Sequence, residues 1–505
     1  MSTDVSNSQR EANTSGALAP ARAANVRDTT PAVAPGRHTM PDRRSEAGST
    51  RLPTPEPGRW EAEEYVATHL GHLLERRQPT EDSPSSPAFR GGQRAADEAL
   101  AALSVDGYSP GRDNAYPLAR RRVSQLSPWI RHGLLTLPAV VARLNELKAD
   151  GQASRDDLAT YGRELLWQEY ARHWYARLGT VTRTLGLDNH PGVESHRAED
   201  PSWSLDPQTS VDEDDEPTDH RAGDATAPNV EGSDAGLTAR SWDRRLGCME
   251  ITLDELADDG WLVGSTRRWL ASQLTVRHGQ SWRLGEEFFF RNLLDGSRAT
   301  NRLAWLQVSG AGSEPSQGFS RWQVESQAPG LCASCEMAQN CPIEQWPATI
   351  PAGHFDHHPL LDHDPDLERT AGPSQVVTTG SPEAVWLTAE SLGHADPALA
   401  ANPDLPAVFV FDEPLLAKLR LSPKRLIFVV ETLSELTTVR PVELRLGSPS
   451  SILAGRSLAA TFTPVPGWRR LAAQLTVDSL YPWPWLHRPH SSQIDSFLAW
   501  QEGVE

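Results

Sequence analysis

Apolar positions recur at helical spacing through the first two thirds of the chain. In WEAEEYVATHLGHLLERR, which begins at Trp60, the side chains of Tyr65, His69, Leu70, Leu73 and Leu74 share one face. GGQRAADEALAALS repeats the pattern with Ala95, Leu100 and Leu103. From Leu126 to Leu178 the spacing stays helical, through SPWIRHGLLTLPAVVARLNELK and DDLATYGRELLWQEYARHWYARL, and Ser127-Pro128 is predicted as an N-cap and first-turn pair. Helical patterns resume before Trp261 and run to about Trp346. Further on the texture changes. AVWLTAE (384–390) and AVFVFDE (407–413) are short apolar runs of the buried parallel-strand type. RLIFVVETLSEL and VELRL alternate with them, which predicts a β/α layered arrangement. RLIFVVETL has no period that separates strand from helix, and its length through Leu436 favours helix.

These shifts divide the chain into a disordered tail (1–57), an all-α domain (58–347), a Pro/His/Asp/Gly-rich linker (348–380) and a short α/β domain (381–505) whose tail, DSLYPWPWLHRPH, is irregular. No apolar run approaches the ~20 residues of a membrane helix. The first sixteen residues, MSTDVSNSQREANTSG, lack the apolar core of a secretory signal. A soluble, cytoplasmic protein with no membrane partner is the expectation. The net charge of −19 argues against a generally basic nucleic-acid binder. Much of that charge is local, however. The stretch from Glu194 to Asp234 carries thirteen acidic residues against Arg197 and Arg221. It belongs to a predicted disordered insertion over 194–238, and the remainder is acidic enough only modestly to leave room for a basic groove.

Three groups of residues then carry a resemblance. YSPGRDNAYPLARRRVSQLSPWIRHGLLT (108–136) is similar to the segment with which photolyases hold the FAD diphosphate, where small hydroxyls and free N–H groups at a helix start form an anion site. Tyr108, Ser124, Leu126 and Ser127 match it, with Val123 in place of a hydroxyl residue. RELLWQEYARH (163–173) resembles the family's Glu-Leu-Ile-Trp-Arg-Glu-Phe helix, which implies that Glu164 and Trp167 face a lesion from one helix face. DDGWLVGSTRRWLASQL, SWRLGEEFFFRNLLDGSRATNRLAWLQVSGAG and GFSRWQ follow the order and spacing of the photolyase/cryptochrome flavoproteins. The resemblance implies that Arg267, Asp295 and Asn301 contact the flavin, with Asn301 near its N5 edge. It implies that Trp305, Trp282 and Trp242 pass electrons to it. The C-terminal part, with AVWLTAESLGHADPALAANPDLPAVFVFDE, resembles the family's antenna domain, which normally comes first. The fold expected is therefore an all-α photolyase-type FAD-binding domain followed by a truncated α/β (Rossmann-like) domain, in permuted order. So short a domain makes an antenna chromophore unexpected.

Cysteine is scarce: Cys248, Cys332, Cys335 and Cys341 are the only four. In a cytoplasmic chain they do not read as a disulfide framework, and four thiolates suit either zinc or a [4Fe–4S] cluster. One Cys before the DELADDGW helix and a Cys-x-x-Cys…Cys-Pro group after the Trp-rich segment resemble the iron–sulfur bacterial cryptochromes and photolyases, which implies the cluster, with zinc or unligated thiols as alternatives.

The chain also departs from the family. Leu262, Val263, Gly264 and Ser265 stand where relatives carry Met/Leu-His-Asn-Arg, Ser297 replaces the second Asp of an Asp-x-Asp group, and Gln307 replaces a tryptophan. The resemblance implies light-driven electron transfer from reduced flavin to a pyrimidine dimer flipped out of damaged DNA, with Glu164, Trp167 and Asn301 as the working residues. A light or redox sensor acting on a signalling partner, or a scaffold that has lost the chemistry, are the alternatives. Arg120, Arg121 and Arg122 are candidate phosphate contacts, against the plainer reading of a solvated charge run.

Overall fold

The computed structural model describes residues 49–74, 84–183, 237, 241–312, 315–349 and 358–504. Residues 1–48 of the expected tail, and all of the expected acidic insertion except Leu237, lie outside the described residues.

The N-terminal half is helical. Its longest element, Arg155–Leu178, has 24 residues and is about 36 Å long at 1.5 Å per residue. The sequence starts it cleanly: the Ser154 hydroxyl accepts from the Asp157 amide at 3.1 Å, and Asp156 and Asp157 lie in the positive first turn. Thr136 caps Leu137–Ala149 in the same way, accepting from the Ala139 amide at 3.2 Å. The predicted cap at Ser127 is one residue out. Leu126 takes the N-cap position of Ser127–Arg131, and the Ser127 hydroxyl instead accepts from the Trp261 indole N–H at 3.0 Å. Two further helices, Trp282–Asn292 and Arg298–Ser309, pack on each other, and the second also packs on Arg155–Leu178. Gly285 makes the first contact possible. A Cβ there would lie 2.0 Å from the Trp305 ring, so only glycine lets the indole rest on the helix backbone.

The C-terminal half carries a seven-stranded mixed sheet in the order β1-β5-β4-β3-β6-β7-β2. Its strands are β1 (Ser49–Arg51), β2 (Val377–Thr378), β3 (Ala384–Leu387), β4 (Ala407–Asp412), β5 (Val442–Gly447), β6 (Ser457–Thr461) and β7 (Thr476–Tyr481). Five strands are parallel, and β1 and β2 close the two edges antiparallel. β3 is buried along its whole length and β4 along all but its last residue, which is why both read as continuous apolar runs. RLIFVVETL is helical, within Pro423–Thr437. That helix is buried along most of its length because it is covered on both sides: Phe428 joins the core of the helical half, while Ile427, Val430 and Leu433 pack under the sheet.

Two expected boundaries need correction. The tail of 1–57 includes β1, whose Ser49, Thr50 and Arg51 pair with Gly447, Leu446 and Arg445. The linker of 348–380 includes the short helices Pro359–Asp362 and Leu367–Ala371 and the edge strand β2. In both, backbone pairing at a sheet edge or docking of a single apolar turn supplies the order, and neither leaves a periodic side-chain pattern.

The two halves meet at glycines. The His132 imidazole lies 2.8 Å through Nδ1 from the Ala389 carbonyl, and a Cβ on Gly133 or Gly393 would lie 2.2 Å from the opposing backbone. This close approach holds the ends of β3 and β4 over the helical half, leaving a cavity between them.

Candidate functional site

A cavity of about 1190 Å³ opens between the helical half and the C-terminal ends of the strands. Tyr108 lines it from the short helix Tyr108–Gly111, Ser124 from the loop before Ser127–Arg131, Ser127 from the start of that helix, Glu164 and Trp167 from Arg155–Leu178, and Arg267 from Gly264–Ser272. Asp295, Asn301, Trp305 and Trp282 complete that part of the wall. The helical pitch places Glu164 and Trp167 one turn apart, Trp282 and Glu286 likewise, and Asn301 directly below Trp305.

Several polar groups in this wall await a partner. Arg267 donates to one Asp295 oxygen at 2.7 Å, but the other, Oδ1, is buried with no hydrogen bond. Asn301 is 4% exposed and its Nδ2 has no acceptor. The Trp305 indole N–H and Oε1 of Glu286 are in the same condition. Buried donors and acceptors left unmade are costly, so a cavity holding four of them is shaped for a polar ligand. A planar, many-heteroatom group such as a flavin fits both this set and the volume.

The electrostatics agree. Burial would raise the Glu286 carboxyl, but Arg298 at 2.6 Å and Arg302 at 3.6 Å outweigh it and hold the group below its usual range. Burial lowers Arg425 to about 9, and the nearby Arg131 guanidinium adds to the effect. Arginines concentrated in a buried space favour an anionic occupant, as a dinucleotide is. At the mouth, Glu164 is half-exposed, 3.4 Å from Arg112, and desolvation raises its carboxyl above the ordinary range.

Two predicted residues stand apart. Leu126 does not reach the cavity; it is buried in the core beneath the helix it caps. Trp242 is also outside the lining, with its ring 5.1 Å from Phe288 and its N–H donating to the Leu270 carbonyl at 3.2 Å. Arg121 is no free phosphate contact, because it is paired with Glu255. Sequence reading missed Glu286 and Arg298, and also Trp483 and Phe497, which reach the cavity from the C-terminal segment. Glu286 could have been found from its i,i+4 relation to Trp282. Nothing local marks the other three.

The four cysteines, all free, line a second, small cavity with Arg321 and Leu331. Cys248 enters from the first turn of Gly247–Asp259 and the others from the loop after Arg321–Gln327. The Gly247 amide donates to Cys335 Sγ at 3.2 Å. Burial, reinforced by the other three sulfurs, pushes the Cys248 thiol up to about 12. Among the described residues no group of three or more His, Cys, Asp or Glu is set to hold a metal ion.

Comparison with known proteins places part of the cavity wall in a stretch similar to a flavin-binding domain. Residues 251–330 match the family described as the FAD binding domain of DNA photolyase. Over 275 residues the chain is 26% identical to a deoxyribodipyrimidine photo-lyase of Streptomyces griseus, covering 52% of this chain and 50% of that one. Over 209 residues it is 25% identical to a cryptochrome DASH of Vibrio parahaemolyticus, covering 40% and 38%. These matches support a place in the photolyase/cryptochrome family. The chain spans between about a third and a half of the length of the curated relatives it matches. A bacterial class III photolyase from Agrobacterium tumefaciens resembles it with a TM-score of 0.33 at 21% identity, over 47% of this chain and 42% of that one; so low a likeness bears no functional weight. The matched stretch, 251–330, contains Arg267, Trp282, Asp295, Asn301 and Trp305, five residues of the cavity wall.

Proposed function

We propose that this protein binds FAD in the cavity and uses light to move an electron from the reduced flavin to a pyrimidine dimer in damaged DNA. The observation that carries the reading is the set of unpartnered buried groups, Asp295 Oδ1, Asn301 Nδ2 and Trp305 Nε1, within the stretch that matches a photolyase FAD-binding domain. When bound, the flavin supplies the light absorption and the one-electron chemistry. The chain supplies placement. Asn301 and Asp295 hold the ring edge, Arg267 fixes Asp295, and Tyr108, Ser124 and Ser127 approach the diphosphate. Glu164 and Trp167, at the mouth, receive a flipped base by hydrogen bonding and stacking.

The order of the halves, helical first and α/β second, is read as a permutation of the family's arrangement. The four cysteines are read as the ligands of a [4Fe–4S] cluster. Free thiols gathered around one small cavity, with Arg277 and Arg321 close by, support this. A second reading, a sensor without repair chemistry, is favoured by one observation: Leu262 and Val263 present only apolar side chains to the cavity where (6-4)-type repair would need a histidine acid. The test is repair of an irradiated oligonucleotide under blue light by anaerobically prepared protein. Disappearance of dimers supports the lyase, and reversible flavin photoreduction with dimers intact supports the sensor.

A further inference from the structure

The C-terminal segment after β7 brings a second set of aromatic rings to the cavity, outside the stretch that carries the family's likeness. Trp483 lines the cavity. Its ring lies 6.3 Å from Trp485, Trp485 lies 4.9 Å from His173, and His173 lies 5.4 Å from Trp500. Phe497, also in the wall, stacks on Trp500 at 5.7 Å. A continuous series of rings therefore leads from the cavity to Trp500, which is fully buried.

The far end of the series is built for a proton as well. The Trp500 indole N–H donates to Nδ1 of His173 at 2.8 Å. Nε2 of His173 then carries the ring's hydrogen and donates to the His487 carbonyl at 2.9 Å, which fixes the tautomer. The Glu169 carboxylate lies 4.0 Å from that nitrogen, and accepts from the Leu486 and His487 amides at 2.6 and 3.1 Å. Arg172, His487, His490 and Arg177 are the other charged or titratable groups near this cluster. Charge also sets a direction along the series. The Arg172 guanidinium lies 5.9 Å from the Trp483 ring, which disfavours a positive hole there, whereas Trp500 has a neutral base on its N–H.

We propose that Trp500 and His173 form a proton-coupled redox pair, fed from the cavity through Trp483 and Trp485. Trp500 loses one electron, which passes along Trp485 and Trp483 to photoexcited oxidised flavin, the oxidant, so for that oxidant the step rests on the flavin reading above. The Nε1–H bond of Trp500 breaks as an N–H bond forms on Nδ1 of His173. The products are a neutral indolyl radical and an imidazolium that faces Glu169. Return of the electron and proton restores both.

Two measurements test the pair. In flavin-loaded protein, Trp242→Phe, outside the cavity lining, is expected to retain light-driven flavin reduction, and adding Trp500→Phe to cut what remains by about tenfold or more. His173→Gln is expected to replace the long-lived neutral radical by a radical cation whose recombination is about tenfold faster. Equal photoreduction with and without Trp500, in variants of unchanged melting temperature, would overturn the proposal. The second measurement omits flavin: a photoexcited ruthenium polypyridyl complex with a sacrificial acceptor oxidises the protein, and electron paramagnetic resonance reads the radical. A neutral indolyl signal lost in Trp500→Phe but kept in Trp60→Phe supports the pair, and a signal indifferent to Trp500 refutes it. If flavin fails to bind, the function proposed above falls while this second arm still decides the relay.

Discussion

Arg267 binds a single oxygen of Asp295 at 2.7 Å and leaves the other buried and unpartnered. The pair thus leaves one carboxylate oxygen free to accept a hydrogen bond from a ligand or an ordered water. Replacing Asp295 by Ala is expected to weaken flavin binding by about 10- to 100-fold, the equivalent of one hydrogen bond involving a charged group. Fluorescence titration with FAD measures it; unchanged affinity would place the flavin elsewhere.

Gly285 lies against Trp305 with no room for a Cβ. Gly285→Ala is expected to destabilise the protein by about 1–3 kcal/mol through overpacking and to displace the indole. Gly467→Ala, whose Cβ would meet nothing within 4 Å, is the matched control and is expected to be neutral or slightly stabilising. Denaturant melts of the two variants check this directly.

How much of this was readable beforehand follows from physical range. The Arg155–Leu178 helix was legible because its periodicity, its serine cap and its acidic first turn are all local. So was the helical state of RLIFVVETL, where length alone decided. The edge strand β1 was not, since Ser-Thr-Arg owes its order to the β5 backbone rather than to its own side chains. Nor could spacing bring Trp483 and Phe497 to the cavity of Trp167, because more than 300 residues separate them and the docking depends on Glu169 holding two amides of the C-terminal segment.

That docking makes stability pH-dependent. Burial raises Glu169 to about 7, above its usual value of 4.5. The folded state therefore binds a proton more tightly than the unfolded state, and the stability this contributes is fully present below about 4.5 and lost as pH rises through about 7. Glu169→Gln is expected to flatten this part of the stability profile between pH 5 and 8. A profile identical to that of the parent would show that Glu169 does not titrate there.

The cysteine cavity predicts its own metal content. Anaerobically purified protein should hold about four irons per chain with a broad absorption shoulder, and Cys332→Ser should lose most of the iron. Stoichiometric zinc without iron would contradict the cluster.

The proposed flavin site is the cavity between the helices and the sheet. The most direct measurement is the flavin content of the purified or reconstituted protein, compared between parent and Asn301→Arg, which places a bulky cation where Nδ2 now lacks an acceptor. About one FAD per chain in the parent and none in a folded variant is the predicted result. A parent that takes up no FAD, or a variant that binds it equally well, would contradict the account.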